Sequence, residues 1–278
     1  MYPWRRVLVP TDFSTASEWS FDTAIDLAGM TEAELLVLHV RITRSSHSDE
    51  LRFPADESLY AYAEQVELDK LRERAARANA SIATRMIVRR APDAGAEISR
   101  AAETEEADLI VIATHARHHV AHLIIGSTTL SVLHDTPVPL LAIRYGIPRR
   151  PVCRKIVVPI HPAQTSTAAA ALAAQVANDQ GSEVHLLTVC GDADRKAAQS
   201  QLDGIAATFS TAPTRAVIRG DNVEAEIARY VAQVGADTLF INGEAENLGG
   251  IKRDIIRRTP TPVMIVPAAL NAPDPVPR

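Results

Sequence analysis

Short runs of valine, isoleucine and leucine alternate along this chain with stretches whose apolar positions recur at helical spacing. In the first half the runs place strands at 5–10, 33–40, 82–89, 108–113 and 138–143. They are near-continuous rather than alternating, as strands covered by helices on both faces must be, so a parallel α/β sheet is expected. Helices fill the gaps. The first is expected to start with Thr15 or Ser17 as its cap and to end at Gly29 in a left-handed C-terminal cap. The second, around 57–79, carries Leu59, Tyr62, Val66, Leu68, Leu71, Ala75 and Ala78 at helical spacing. Residues 41–56 show no periodicity and read as a long loop.

The pattern then repeats. RRVLVP at 5–10 recurs as RKIVVP at 154–159, and AELLVLHV at 33–40 as SEVHLLTV at 182–189, both at an offset of 149. AEISRAAETEEADLIVIA at 96–113 recurs as AEIARYVAQVGADTLFIN at 225–242, offset by 129, and TPVPLLAI at 136–143 as TPTPVMIVP at 259–267, offset by 123. Four blocks in the same order mean two copies of one domain. The shrinking offset locates the cuts in the second copy, 20 residues between its second strand and third helix and 6 more around its last loop. Tyr145 to Pro151, YGIPRRP, has the composition of a boundary. The expected domains are therefore residues 1–147 and 152–270, each a doubly wound five-stranded parallel sheet flanked by helices.

Composition narrows the function classes. The 29 basic and 34 acidic residues give a net charge of -5, and neither half carries a basic footprint, so nucleic-acid binding is not expected. The opening MYPWRRVLVPTDF holds too short an apolar run for a signal peptide, and no segment approaches the ~20 apolar residues that span a bilayer, so a cytoplasmic protein without membrane contact is expected. Cys153 and Cys190 fall at opposite ends of neighbouring strands, roughly 20 Å apart at ~3.3 Å per residue, beyond disulfide reach, and read as inert.

An open sheet of this class binds ligands outside the carboxyl ends of its strands, where strand order reverses. With the order 3-2-1-4-5 the reversal lies between strands one and four. There PTDFS, from Pro10 to Ser14, would meet ATHARHHVAH, from Ala113 to His122, the two most polar strand exits of the first half.

The stretches VLVPTDFS, LLVLHV, DLIVIATHARHHVAHLIIGS and TPVPLLAI resemble the universal stress protein family, here in a tandem form covering nearly the whole chain. The resemblance implies the order 3-2-1-4-5 and, in the family's nucleotide-binding branch, an ATP site. Its residues would fall on Pro10, Thr11 and Asp12, with Asp12 holding the adenosine, and on Val40 for a backbone contact to adenine. The phosphate loop G-x-x-G-x9-G-[ST] would fall on Ala113, Ala116, Gly126 and Ser127, followed by Thr128 and Thr129. Two of its glycines are thus alanines. A phosphate loop uses glycine for close backbone approach and sometimes positive φ, and an alanine forced to positive φ costs roughly 1 kcal/mol or more. Gly126 to Thr129 still offers N–H groups at a helix start, an anion site in itself.

The second copy departs further, with His161 in the place of Asp12, and with Glu244 and Glu246 following Gly243 where they would repel phosphate. It reads as a structural partner. Family members commonly pair their last strands, which implies that the halves pack as a pseudo-dimer, with a homodimer as a further step. Among other constellations, His115, His118, His119 and His122 match no recognised zinc spacing, and the only metal expected is Mg²⁺ accompanying a nucleotide. Asp12, Ser14 and His115 form no nucleophile-elbow arrangement, and Arg5, Arg6 and Arg117 read as solvated. Trp4 and Trp19 read as packing residues. Three readings stay open: a non-catalytic stress-response regulator or adaptor binding ATP or another adenine nucleotide in the first half, a nucleotide-independent scaffold, and a weak ATPase.

Overall fold

A computed structural model describes residues 4–43, 54–114, 126–146, 151–162, 167–243, 253–259 and 261–268. The first repeat runs β1 (Arg6–Thr11), α1 (Thr15–Thr31), β2 (Glu34–Ile42), α2 (Pro54–Ala78), β3 (Thr84–Ala91), α3 (Ala94–Thr104), β4 (Leu109–Ala113), α4 (Ser127–Asp135) and β5 (Leu140–Ile143). The second runs β6 (Lys155–Pro159), α5 (Ala168–Gln180), β7 (Glu183–Cys190), α6 (Arg195–Ala206), β8 (Thr214–Arg219), α7 (Val223–Val234), β9 (Thr238–Gly243), α8 (Arg253–Arg258) and β10 (Val263–Pro267). Each repeat has the strand order 3-2-1-4-5, and together they form one ten-stranded sheet, β3-β2-β1-β4-β5-β10-β9-β6-β7-β8. Pairing is parallel within each repeat. Only β5 and β10, where the repeats meet, run antiparallel, with Leu141 opposite Met264.

Successive strand residues point to opposite faces, and the buried side chains divide accordingly. Val7, Val9, Leu35 and Val37 pack with α1, α2, α5 and α6, whereas Leu8, Leu36 and Leu38 pack with α3, α4, α7 and α8. Each such buried aliphatic side chain contributes about 1.5–3 kcal/mol relative to exposure. An acid at the start of the fourth strand fixes the start of the first in both repeats. Asp108 accepts from the N–H groups of Arg5 (2.7 Å) and Arg6 (2.9 Å), and Asp237 from those of Arg154 (3.1 Å) and Lys155 (3.0 Å).

Three local expectations are corrected. The cap of α1 is Ser14, whose hydroxyl accepts from Ser17 N–H, and its left-handed C-terminal residue is Glu32 at φ 55, not Gly29. Gly29 lies inside the helix, where a Cβ would meet Asn79 Nδ2 at 3.1 Å and Ile82 Cδ1 at 3.6 Å, so closeness rather than backbone freedom accounts for it. Along α2 the buried stripe is Leu68, Leu71 and Ala75, while Leu59 and Tyr62 stand 66% and 70% exposed. Both cysteines are free and buried. Burial, the largest cause, pushes the Cys153 thiol up to about 12, which keeps it protonated and unreactive. Trp4 is in the core, and Trp19 makes an edge contact with Tyr145 at 5.6 Å. Among the described residues no helix is long and apolar enough to cross a membrane.

Candidate functional site

At the reversal point the strands part. The β1–β2 register runs from Arg6↔Glu34 to Thr11↔His39, but the β1–β4 register covers Val7↔Leu109 and Leu8↔Ile110. Among the described residues this ladder therefore stops three residues short of Thr11, and a crevice opens between the C-terminal ends of β1 and β4.

One wall of the crevice is the turn from β1 into α1. Thr11 is buried, and its Oγ1 accepts from Phe13 N–H at 3.0 Å and lies 3.2 Å from Ser17 Oγ. Asp12 closes a side-chain turn, its Oδ1 accepting from Ser14 N–H at 3.1 Å and from the Ser14 hydroxyl at 2.5 Å. The carboxylate thus sits at the start of a 17-residue helix, where the dipole favours negative charge. Between Asp12 and Ser14, Phe13 takes φ 59. Val40 is partly buried beside the end of this ladder, packed against the α3/α4 face.

The other wall is the exit of β4. Ala113 is an ordinary strand residue opposite Ile143, and among the described residues it does not take positive φ, so the strain expected of an alanine in a glycine place does not arise there. Its carbonyl accepts from Thr129 Oγ1 at 3.0 Å, and the carbonyl of buried Thr114 accepts from Gly126 N–H at 3.0 Å. These two bonds hold the start of α4 against the strand end. Gly126 is the N-cap of α4 with φ -63 and, as a glycine, has no side chain with which to cap the helix. The first-turn N–H groups at Ser127, Thr128 and Thr129 have no intrahelical carbonyl, as at any helix start. Among the described residues a Cβ at Gly126 would meet only Thr114 O at 3.9 Å, an ordinary contact, and the backbone there does not need glycine.

Pro10, Thr11, Asp12 and Val40 are thus brought to one side of the crevice, and Ala113, Gly126, Ser127, Thr128 and Thr129 to the other. Ala116, His115, Arg117, His118, His119 and His122 lie outside the described residues, as do Glu244 and Glu246. Among the described residues no group of three or more His, Cys, Asp or Glu could hold a metal ion.

Sequence reasoning missed two groups. The first is Phe13, His39, Glu64 and Arg41 beside the Asp12 turn. The second is Asn242, at the place of Ala113 in the second repeat, whose buried Oδ1 accepts from Ala169 N–H at 2.7 Å. This side chain thus reaches from the end of β9 to the start of α5, which Thr167 does not cap, where the first repeat has only the methyl of Ala113. Gly243 also has an internal reason, since a Cβ there would meet Val266 O at 3.1 Å and Ile265 Cγ2 at 3.2 Å. Position-by-position comparison of the two repeats is the signal that finds both groups.

No curated protein matches this chain. Among solved structures, a universal stress protein of Archaeoglobus fulgidus is similar at a TM-score of 0.74 and 22% identity, over 95% of this chain and 98% of that one. A Pseudomonas aeruginosa universal stress protein is similar at 0.63 and 14%, over 96% and 95%. A universal stress protein in complex with cAMP is similar at 0.38 and 23%, over 51% of this chain and 97% of that one. At these identities the likeness is one of fold. The family profile itself, described as the universal stress protein family, matches residues 3–144, half of the sequence. With the tandem 3-2-1-4-5 sheet and this match together, the chain belongs to the universal stress protein family.

Proposed function

We propose that this chain is a non-catalytic regulator or adaptor of its family that binds ATP or another adenine nucleotide in the first repeat, with the second repeat as its structural partner. The observation that carries the reading is the start of α4: a helix opened by a glycine whose Cβ position is free of close contact among the described residues, at the exit of β4, the strand beside the one that leads into Asp12. Such a start offers N–H groups and a positive dipole end to phosphate, while a carboxylate at the opposite wall suits the hydroxyls of a ribose. Alanine at 113 leaves this arrangement intact because its backbone is extended. In the second repeat Asn242, at the place of Ala113, ties the end of β9 to the start of α5, which supports a structural role there. Ser14 spends its hydroxyl on Asp12 and on the cap of α1, which argues against it as a nucleophile.

Calorimetric titration of the full chain with ATP and AMP, with and without Mg²⁺, tests this. Wild type is expected to bind. Asp12→Ala is expected to weaken binding about tenfold or more, the loss of a charge-assisted hydrogen bond of about 1.5–3 kcal/mol. Gly126→Ala is expected to weaken binding with little change in melting temperature, because its methyl would stand at the helix start where phosphate is held and makes no close contact with the described residues. Absence of binding by wild type removes the nucleotide from the reading and leaves the scaffold, and steady consumption of ATP removes the non-catalytic clause.

A further inference from the structure

The carbonyl at the end of the first strand is held twice in this chain, by two different side chains. In the first repeat His39 Nδ1–H donates to the carbonyl of Thr11 at 2.9 Å. In the second, 149 positions on, the Thr188 hydroxyl donates to the carbonyl of Ile160 at 3.0 Å. A carbonyl oxygen only accepts, so Nδ1 of His39 carries a hydrogen. A threonine therefore suffices to tie the second strand to the first, and the imidazole of the first repeat has further contacts to account for.

The His39 ring lies on that of Phe13, with centroids 4.4 Å apart and planes tilted by 30°. Its Nε2 stands 3.5 Å from Glu64 Oε2 on α2, an ion pair when both ring nitrogens carry hydrogen, and Glu64 is itself gripped by Arg41 through two hydrogen bonds of 2.8 and 3.0 Å. The stacked partner is the strained one. Phe13 at φ 59 occupies the left-handed region, which a bulky side chain holds only where its surroundings over-determine it. The Asp12–Ser14 turn closes over this residue. The second repeat has lost all three features together: Thr188 replaces His39, His161 replaces Asp12, and Pro162, whose ring fixes φ near -65°, replaces Phe13 and cannot make this turn.

We infer that His39 is a positioning residue for the first-repeat site: fixed from α2 by Glu64 and Arg41, its ring keeps Phe13 in the left-handed turn that sets the Asp12 carboxylate at the exit of β1. The inference rests on the adenine-nucleotide reading above and adds the device that prepares the site before ligand arrives. Pre-set polar groups raise affinity by removing the ordering cost of binding.

The second repeat supplies the test variant. His39→Thr keeps the carbonyl hydrogen bond, as Thr188 does, and removes only the ring. In full-length protein the expected result is a loss of ATP affinity of about tenfold by calorimetry, with faster amide hydrogen exchange at Phe13 and Ser14 and unchanged exchange in the middle of α1. His39→Leu, which also removes the carbonyl bond, is expected to lower the melting temperature further. If wild type binds ATP and His39→Thr binds it equally well, the positioning role is overturned and the nucleotide reading stands. Wild type that binds no adenine nucleotide overturns both. Weakened binding with no change in exchange at Phe13 and Ser14 overturns the inference in favour of a general structural role.

Discussion

Ala113 shows why a missing glycine has to be judged by backbone conformation and not by motif alone. Glycine is required where φ is positive or where a Cβ would collide, and at 113 the chain is an extended strand opposite Ile143. Conversely Phe13, Glu32, Glu106 and Cys153 take positive φ without being glycine. None of the four carries a sequence signal for that conformation, because what enforces it comes from tertiary neighbours. Cys153 also supports a prediction about pH. Its thiol is pushed from an ordinary 9.0 to about 12 by burial, the largest cause, with the Asp237 charge second. The native state therefore holds this proton more tightly than the unfolded chain. The resulting stability is complete below pH 9 and is lost as pH rises from there toward about 12, at up to about 1.4 kcal/mol per pH unit. Denaturant midpoints measured between pH 8 and 11 are expected to hold to about pH 9 and to fall steadily above it. Cys153→Ala is expected to flatten that fall, leaving a smaller slope above pH 10 from Tyr230, whose hydroxyl burial also shifts upward.

The elements themselves were largely legible: hydrophobic runs gave every strand of the first repeat to within two or three residues, and repeat offsets carried the pattern into the second. Their ends were less so. α5 and α7 do end on glycines in the left-handed region, Gly181 and Gly235, yet α1 passes through Gly29 and ends at Glu32. What decides is whether a neighbouring element crowds the glycine, and sequence spacing does not report that. Gly95, which no motif singles out, is the sharpest instance. It lies in the first turn of α3, where a Cβ would come within 2.4 Å of Ser131 Cβ on α4 and 3.2 Å of Thr128 O. The position of α4, and with it the helix start proposed to meet phosphate, depends on that closeness. Gly95→Ala is expected to destabilise the protein by about 1–3 kcal/mol through overpacking and to weaken nucleotide binding by shifting Thr128. Adding Ser131→Gly opens the space and is expected to recover most of the binding, though the new glycine inside α4 keeps a penalty of about 1 kcal/mol. Equal stability of Gly95→Ala and wild type in urea would show that α4 can move away freely.

Across the whole molecule, the strands that would be bare apolar edges in separate repeats, β5 and β10, cover each other, and the edges left are β3 and β8, which carry Arg85, Arg89 and Arg90 and Arg215 and Arg219. Charged edges resist pairing with further chains. The pairing at Val263↔Ala142, Met264↔Leu141 and Ile265↔Leu140 also makes each buried layer continuous through both repeats: Leu141 and Met264 belong to one, Leu140 and Ile265 to the other. Unfolding one repeat would expose this seam on its partner, so the two should unfold as one cooperative unit although each has a complete sheet order of its own. The sequence provides separate reporters, since both tryptophans, Trp4 and Trp19, are in the first repeat and both cysteines, Cys153 and Cys190, in the second. Tryptophan fluorescence and thiol labelling followed through one urea titration are expected to give coincident midpoints. Leu141→Asp would place a charge in the seam, where burying an unpaired carboxylate is strongly unfavourable, and is expected to lower both midpoints although the substitution lies in the first repeat alone. Midpoints that separate in wild type, or a Leu141→Asp protein in which only the tryptophan signal shifts, would mean that the seam joins the two repeats without coupling them.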